Sequence, residues 1–317
     1  MRFAIVGAGA IGGFVGAALM RGGNDVGLVA RGEHLRAIQK CGLAVRSQIG
    51  NFSLNIAAAD DLRKLERPDV ILLTVKAHQL RELRAQIAPY RDPAITIIPM
   101  QNGIPFWYSP EWHLTSVDPQ GEVAASIDAR QIVGSVVQVS GKIVEPGVIE
   151  QAGLRTYVLG ELNGELTGRL KAIAAAFEHA QLNAQIESNI RSAVWYKLLG
   201  NVSLNPISAL TRATIKTMIE DARTLRLLRQ LMTESMAVAR ALGIELETSV
   251  EERLAMSAQL ADVKTSMLQD VEAGRRLELD PIVGAVVELA HRLAVPVPAT
   301  EHVYSLTKLL DATLQTD

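Results

Sequence analysis

The feature that most constrains this chain stands at its start. A short apolar run, Phe3 to Val6, opens directly onto Gly7-Ala8-Gly9-Ala10-Ile11-Gly12. Continuous apolar runs of this length make strands buried on both faces of a parallel sheet. Ile11 to Arg21 then reads as a helix of small apolar residues, and Asp25 to Ala30 (DVGLVA) as a second strand. Strand, glycine turn and helix in that order are the setting in which G-x-G-x-x-G binds a dinucleotide. The first glycine permits the tight turn, the second lets a pyrophosphate approach the backbone, and the third lets the helix pack close to the strand. The helix start offers free N–H groups and the positive end of its dipole to the phosphates. Gly7, Ala8, Gly9, Ala10, Ile11 and Gly12 are therefore the expected cofactor-binding loop.

The end of the second strand selects between nicotinamide cofactors. NAD enzymes usually carry an Asp or Glu there to hold the ribose hydroxyls. Here the strand ends Val29-Ala30-Arg31, with no acid to repel a 2′-phosphate and a guanidinium able to donate two hydrogen bonds to one. The expected cofactor is NADPH/NADP. Met1-Arg2 and the apolar run after it superficially match a secretory leader. Gly7, Gly9, Gly12, Gly13 and Gly16 argue against the uniform apolar helix that a leader needs.

Composition narrows the remaining classes. A chain of 317 residues, 48% of them hydrophobic, suggests about two domains. Its 32 basic and 34 acidic residues give no global basic field to attract nucleic acid or anionic lipid. No stretch reaches the ~18 apolar residues of a membrane span, so neither nucleic acid nor membrane is an expected partner. The single cysteine, Cys41, rules out an internal disulfide, fits a reducing cytoplasm and is expected to be a small buried residue. The histidines lack ligand spacing, so no metal site is expected.

Two more apolar runs, Val70 to Val75 (VILLTV) and Ala94 to Pro99 (AITIIP), each lead into a polar loop, KAHQ and MQNG. Strands alternating with helices predict a Rossmann-type doubly wound sheet. The Val- and Gly-rich stretch between about 130 and 160 predicts antiparallel strands at one edge of that sheet. From about residue 188 the apolar spacing is helical. The expected domains are a nucleotide-binding unit over 1–187 and an all-helical unit over 188–317.

Within the helical part, Lys197, Asn201 and Asn205 follow at four-residue steps, about 40° apart on a helix, and form one polar stripe. Pro206 disfavours helical geometry at Asn205 and is expected to end or kink the stripe. Asparagine is a poor helix former, so two on one face suggest ligand contacts or local hydrogen bonds, with a plain exposed face as the alternative. Downstream, Lys264-Thr265-Ser266-Met267-Leu268-Gln269-Asp270 precedes Gly274-Arg275-Arg276-Leu277-Glu278-Leu279-Asp280. This reads as a charged loop entering a helix capped by Asp280 with Pro281 at its first position. Glu278 between two leucines has no place in that reading.

Taken together, the glycine loop with Arg31, Lys76 after one strand, Asn102-Gly103 after the next, the K-x-x-x-N-x-x-x-N stripe and SMLQD…GRRLELD resemble the ketopantoate reductase (2-dehydropantoate 2-reductase) family. The resemblance runs over nearly the whole chain, and SMLQD…E-x-D is its most specific part. It implies NADPH-dependent reduction of a 2-keto acid, ketopantoate to pantoate in pantothenate biosynthesis, by hydride transfer. It further implies that Lys197 gives the proton to the carbonyl oxygen and that Glu278 contacts the substrate hydroxyl and helps position the lysine. Asn201, Asn205 and Ser266 match substrate-binding positions, Asn102 matches a position shared by substrate and cofactor, and Lys76 and Gln79 match positions lining the nucleotide cleft.

The chemistry is coherent, since hydride addition puts negative charge on oxygen and an ammonium both stabilises and protonates it. The chain departs from the family in an aromatic insertion, Ile104 to Trp112 (IPFWYSPEW). That insertion suits a substrate mouth, a homodimer contact or a loop over the core. The alternatives are a dehydrogenase for a different keto or hydroxy acid on the same scaffold, and a non-catalytic NADP(H)-binding regulator.

Overall fold

The computed structural model describes residues 1–109, 112–259 and 262–315. It contains two compact units, one of Met1–Gln101 with Gly121–Ile190, the other of Asn102–Gln120 with Arg191–Asp317. The division thus falls after Ile190 instead of after residue 187. Residues 102–120, though flanked in sequence by the first unit, belong to the second.

The first unit begins β1 (Arg2–Val6), α1 (Ala10–Arg21), β2 (Asp25–Val29) and α2 (Gly32–Cys41). Three short strands follow, β3 (Leu43–Arg46), β4 (Phe52–Leu54) and β5 (Ala57–Ala59). Then come β6 (Val70–Leu73), α3 (Leu80–Ile87), β7 (Thr96–Pro99) and α4 (Glu122–Ser126). A long hairpin, β8 (Val133–Glu145) and β9 (Val148–Glu161), leads to α5 (Gly168–His179) and β10 (Asn183–Ile186). The Rossmann-type sheet has the order β5-β2-β1-β6-β7 and its strand pairs are parallel. Its centre is apolar on both faces, as the short runs predicted: Phe3, Ile5, Val26, Leu28, Val70 and Leu72 share one face and lie in the core, while Ala4, Val6, Val29, Ile71 and Leu73 are buried on the other.

The hairpin is not an edge of this sheet. β9 takes β8 antiparallel along one side. Its other side pairs parallel with β3 at one end and β10 at the other, so a second five-stranded sheet forms. A single bridge between Ile97 and Ile132 is what remains of the expected edge position. α1 lies between the two sheets, which accounts for its small residues. A Cβ at Gly16 would stand 2.7 Å from Leu28 in the parallel sheet, and one at Gly13 would strike Ile149 of β9. Cys41, expected in the core, is exposed at the end of α2.

The second unit carries α6 (Ile190–Thr211), α7 (Ile215–Glu220), α8 (Ala222–Ala241) and α9 (Val250–Ala258). It continues with α10 (Ser266–Glu272), a π-helical turn (Asp280–Gly284), α11 (Ala285–Arg292) and α12 (Pro298–Thr313). α10 replaces the loop expected before Asp270, its start capped by Thr265. Pro206 lies inside α6, which continues past it to Thr211. The aromatic insertion packs as a core loop of this unit. Trp107 and Tyr108 are buried, Trp195 Nε1 donates to Tyr108 Oη (2.6 Å), and Arg191 Nε donates to the Tyr108 carbonyl (2.9 Å). Pro110 and Glu111 lie outside the described residues.

α12 has no side-chain cap of its own. Glu234 of α8, buried at 8% exposure, instead accepts from Ala299 N (3.1 Å), Thr300 N (2.8 Å) and Thr300 Oγ1 (2.7 Å). A carboxylate there satisfies the orphan donors of the helix start and complements its dipole. Glu234→Ala leaves those donors buried and unpaired, and should cost about 2–3 kcal/mol. A thermal melt followed by circular dichroism reads the loss. Glu234→Gln, which keeps one acceptor, should lose less, and equal melts for Ala and wild type would discard the cap.

Candidate active site

In the first unit the glycine loop, the end of β2 and the loop after β6 enclose a hollow of about 660 Å³, including its open mouth. Gly7, Ala8, Gly9, Val29, Ala30, Arg31, His34, Val75, Gln79, Leu83 and Ile143 are among its walls. The three glycines of the motif differ in what they meet. Gly7 sits at φ +108°, a conformation natural to glycine, with a Cβ there 2.8 Å from Val75 N. At Gly12 a Cβ would strike the Gly7 carbonyl and the Thr74 side chain. Gly9 has an ordinary φ of −69° and its nearest neighbour is 4.0 Å from a would-be Cβ. Packing within the protein therefore requires glycine at 7 and 12 but not at 9, where the freed space faces whatever fills the hollow.

The residues fit a dinucleotide on independent grounds. No side chain caps the start of α1, so its N-terminal dipole is left to a ligand. Arg31 lines the hollow with a mostly exposed side chain, its Nη1 3.4 Å from Glu82 Oε2. His34 accepts from Gly147 N through Nδ1 (3.0 Å), which puts its proton on Nε2. That atom is buried without a partner, and burial lowers the imidazole pKa against the opposing pull of the Ala8 carbonyl. Burial thus favours the neutral form of the His34 ring. Among the other residues expected at the cofactor, Gln79 lines the hollow while Lys76 begins the turn before it, its N–H donating to Gln79 Oε1 (3.2 Å). Ala10 and Ile11 open α1, and Gly12 serves its packing. His34, Leu83 and Ile143 were missed, since only the fold brings them to the glycine loop.

The second unit assembles a different cluster. Lys197 of α6 donates from Nζ to Asn102 Oδ1 at 2.6 Å, and Asn102 Nδ2 donates to Glu278 Oε2 at 3.2 Å. Burial lowers the Lys197 pKa to about 8, although the charge of Glu278 opposes the shift. Asn201 and Asn205 lie on the same helix, and neither amide has a hydrogen-bond partner among the described residues. Ser266 is exposed at the first turn of α10. Asn102, expected at both cofactor and substrate, belongs to this unit with Lys197 and Glu278.

Backbone packing fixes the cluster. Gly103, at φ +85°, lies so close to the Pro281 carbonyl that no side chain fits, and Ile104 N donates to that carbonyl at 2.7 Å. One face of α12 holds the segment around Glu278. Asp311, buried, accepts from Leu277 N (2.8 Å), while Tyr304 (2.8 Å) and Lys308 (2.7 Å) donate to Asp280. Asp280 is therefore no helix cap; its carboxylate is spent on α12 and the turn it opens is π-helical, a form frequent at functional sites. A polarised ammonium, two free amides and a carboxylate within one unit can receive a polar substrate and protonate a developing oxyanion. Among the described residues no group of three His, Cys, Asp or Glu side chains could hold a metal ion, and no helix is long and apolar enough to cross a membrane.

Comparison with known proteins bears on both units. A family model described as "Ketopantoate reductase PanE/ApbA" matches residues 3–164, and one described as "Ketopantoate reductase PanE/ApbA C terminal" matches 189–311. A curated 2-dehydropantoate 2-reductase of Mesorhizobium japonicum is 37% identical, covering 98% of this chain and 98% of that protein. A Ralstonia solanacearum protein, solved as a candidate ketopantoate reductase, superposes with a TM-score of 0.93 at 36% identity over 99% of this chain and 98% of its own. D-Mandelate dehydrogenase, solved in a ternary structure with NADH and anilino(oxo)acetate, shares the fold at 22% identity and TM-score 0.86, covering 99% of this chain and 100% of its own.

Proposed function

The chain belongs to the ketopantoate reductase family, and we propose that it reduces a 2-oxo acid, 2-dehydropantoate, to pantoate with NADPH as hydride donor. The observation that carries the reading is the hydrogen-bonded line Lys197–Asn102–Glu278, beside two amides on α6 with no hydrogen-bond partner among the described residues. When bound, a nicotinamide cofactor would supply the hydride that adds to the carbonyl carbon. As that bond forms, the carbonyl π pair moves onto oxygen, and the oxygen takes a proton from the Lys197 ammonium. Asn102 fixes the ammonium through its carbonyl, so the donor is oriented before reaction rather than during it. Glu278 favours the protonated form of the buried lysine and presents its carboxylate to a substrate hydroxyl. Asn201, Asn205 and Ser266 grip the polar remainder of the acid without competing for its proton.

Gly7, Ala8, Gly9, Arg31 and Gln79 would hold the dinucleotide. The preference for NADPH rests on Arg31 at the end of β2, where no acid stands in sequence. Glu82, which reaches Arg31 from α3, favours the second reading, NADH, because a carboxylate there repels a 2′-phosphate. Fluorescence titration separates them. Arg31→Ala should weaken NADPH roughly 10–100-fold, the loss expected for a charge-assisted contact, and leave NADH nearly unchanged. Equal losses for both cofactors would discard the 2′-phosphate role.

The reaction itself is tested by following NADPH oxidation with a panel of 2-oxo acids. Turnover of other acids but not 2-dehydropantoate would move the protein to a different substrate on the same scaffold. Tight cofactor binding with no acid ever reduced would make it a regulator.

A further inference from the structure

The proposed residue set leaves one charge on the substrate unanswered. A 2-oxo acid carries a carboxylate next to its reacting carbonyl, yet the only cation in the set, Lys197, is engaged with the carbonyl oxygen. Glu278 is itself negative, and the amides are neutral.

Arg253, on α9, is a second cation in the same unit. Its guanidinium lies over the Tyr196 ring, with Cζ 4.7 Å from the centroid. Its Nε is shut off from water and has no hydrogen-bond partner, and no carboxylate among the described residues pairs with it. The group reaches onto α6 at Gly200, where a Cβ would stand 2.7 Å from Nη2. Gly200 follows Lys197 by three residues and precedes Asn201, and residues three apart on a helix are surface neighbours. An unpaired guanidinium is therefore bedded along the row of α6 that adjoins the lysine.

Two costs accompany this arrangement. Arg253 is half-buried, and its Nε is drawn out of water without an acceptor, which is unfavourable; the Tyr196 ring compensates only part of that cost. Glycine within a helix costs about 1 kcal/mol relative to alanine, and at position 200 alanine would crowd the guanidinium. An anion completes both features, because the planar fork of Arg accepts a carboxylate through two parallel hydrogen bonds.

We propose that Arg253 binds the carboxylate of the 2-oxo acid substrate, with Gly200 keeping the approach open. The inference rests on the reading of the site as a 2-oxo acid reductase. It predicts that the enzyme selects free acids over their esters and amides.

The test compares wild type, Arg253→Met and Arg253→Lys on 2-dehydropantoate and on its methyl ester. The Met variant should lose roughly 10–100-fold in kcat/KM on the acid, chiefly through KM, and nothing further on the ester. Lysine, a point charge without the fork, should recover part of the loss. NADPH affinity should be unchanged and the melting temperature should not fall, which separates the role from a merely structural Arg253–Tyr196 contact. Equal losses on acid and ester, or none on either, would overturn the assignment. Calorimetric titration with oxamate, a non-reducible 2-oxo acid analogue, reads the same contact without turnover: wild type should bind it and Arg253→Met should not. If wild type reduces no 2-oxo acid, the reductase reading fails, and the oxamate titration still decides Arg253.

Discussion

Lys197→Ala should lower turnover roughly 10³-fold, a magnitude set by losing a positioned proton donor together with the charge that stabilises the oxyanion. NADPH affinity should change little, because Lys197 lies in the second unit and the glycine loop in the first. The wild type carries its own signature of the same role. Burial holds the Lys197 pKa near 8 against the opposing charge of Glu278, and only the protonated form can act as acid. Reduction should therefore be fastest below about pH 8 and fall as pH rises through it, while the reverse oxidation, which needs the free amine, should gain. Steady-state rates across pH with a parallel cofactor titration check both points. Comparable turnover with and without the lysine would remove it from the chemistry.

Glu278 provides the second large effect, and its two variants separate charge from shape. Glu278→Gln keeps an acceptor for Asn102 Nδ2 but deletes the negative charge that raises the Lys197 pKa. With desolvation then unopposed, the lysine loses its proton at lower pH, so the falling limb of the reduction profile should move to the acid side. Glu278→Ala should also raise KM and lower kcat together, by roughly 10–100-fold in kcat/KM, since a hydrogen bond to a charged group is lost. A profile that stays in place, with unchanged kinetics, would reduce Glu278 to a residue that merely precedes a helix.

The sequence was most legible where a residue answers to its neighbours in the chain. Phe3 to Val6, the glycine loop and Asp25 onward pointed to β1, α1 and β2 because each pattern is local. The lysine and asparagines of α6 were likewise readable as a stripe, since four-residue spacing is a property of the helix alone. What escaped depended on partners far away in sequence. β3 and β10 are only a few residues long and are strands because β9 offers them an edge; the same pairing draws the hairpin away from the parallel sheet.

Residues 102–120 join the second unit through contacts such as Tyr108 with Trp195, which no periodicity encodes. The particular roles of Lys197 and Glu278 came from family resemblance, and the spacing alone left an exposed face equally open. Glu234 and Asp311 did leave a signal. Each is an acid on a buried helix face, a place where a carboxylate persists only if it has donors; Arg253, amid the charged start of α9, left none.

The confinement of α1 has a consequence for how a dinucleotide would be received. A helix pressed by Leu28 on one side and Ile149 on the other has no room to slide or tilt, and the glycine loop is joined to its first turn. The uncapped start of the helix is thus held in place by packing, with no ligand needed to order it. Preorganisation of this kind removes the ordering cost that association otherwise carries, so any affinity of this loop for phosphates would be built during folding. Changes of cofactor preference would have to arise at the rim, around Arg31 and Glu82, where side chains are exposed and free to vary.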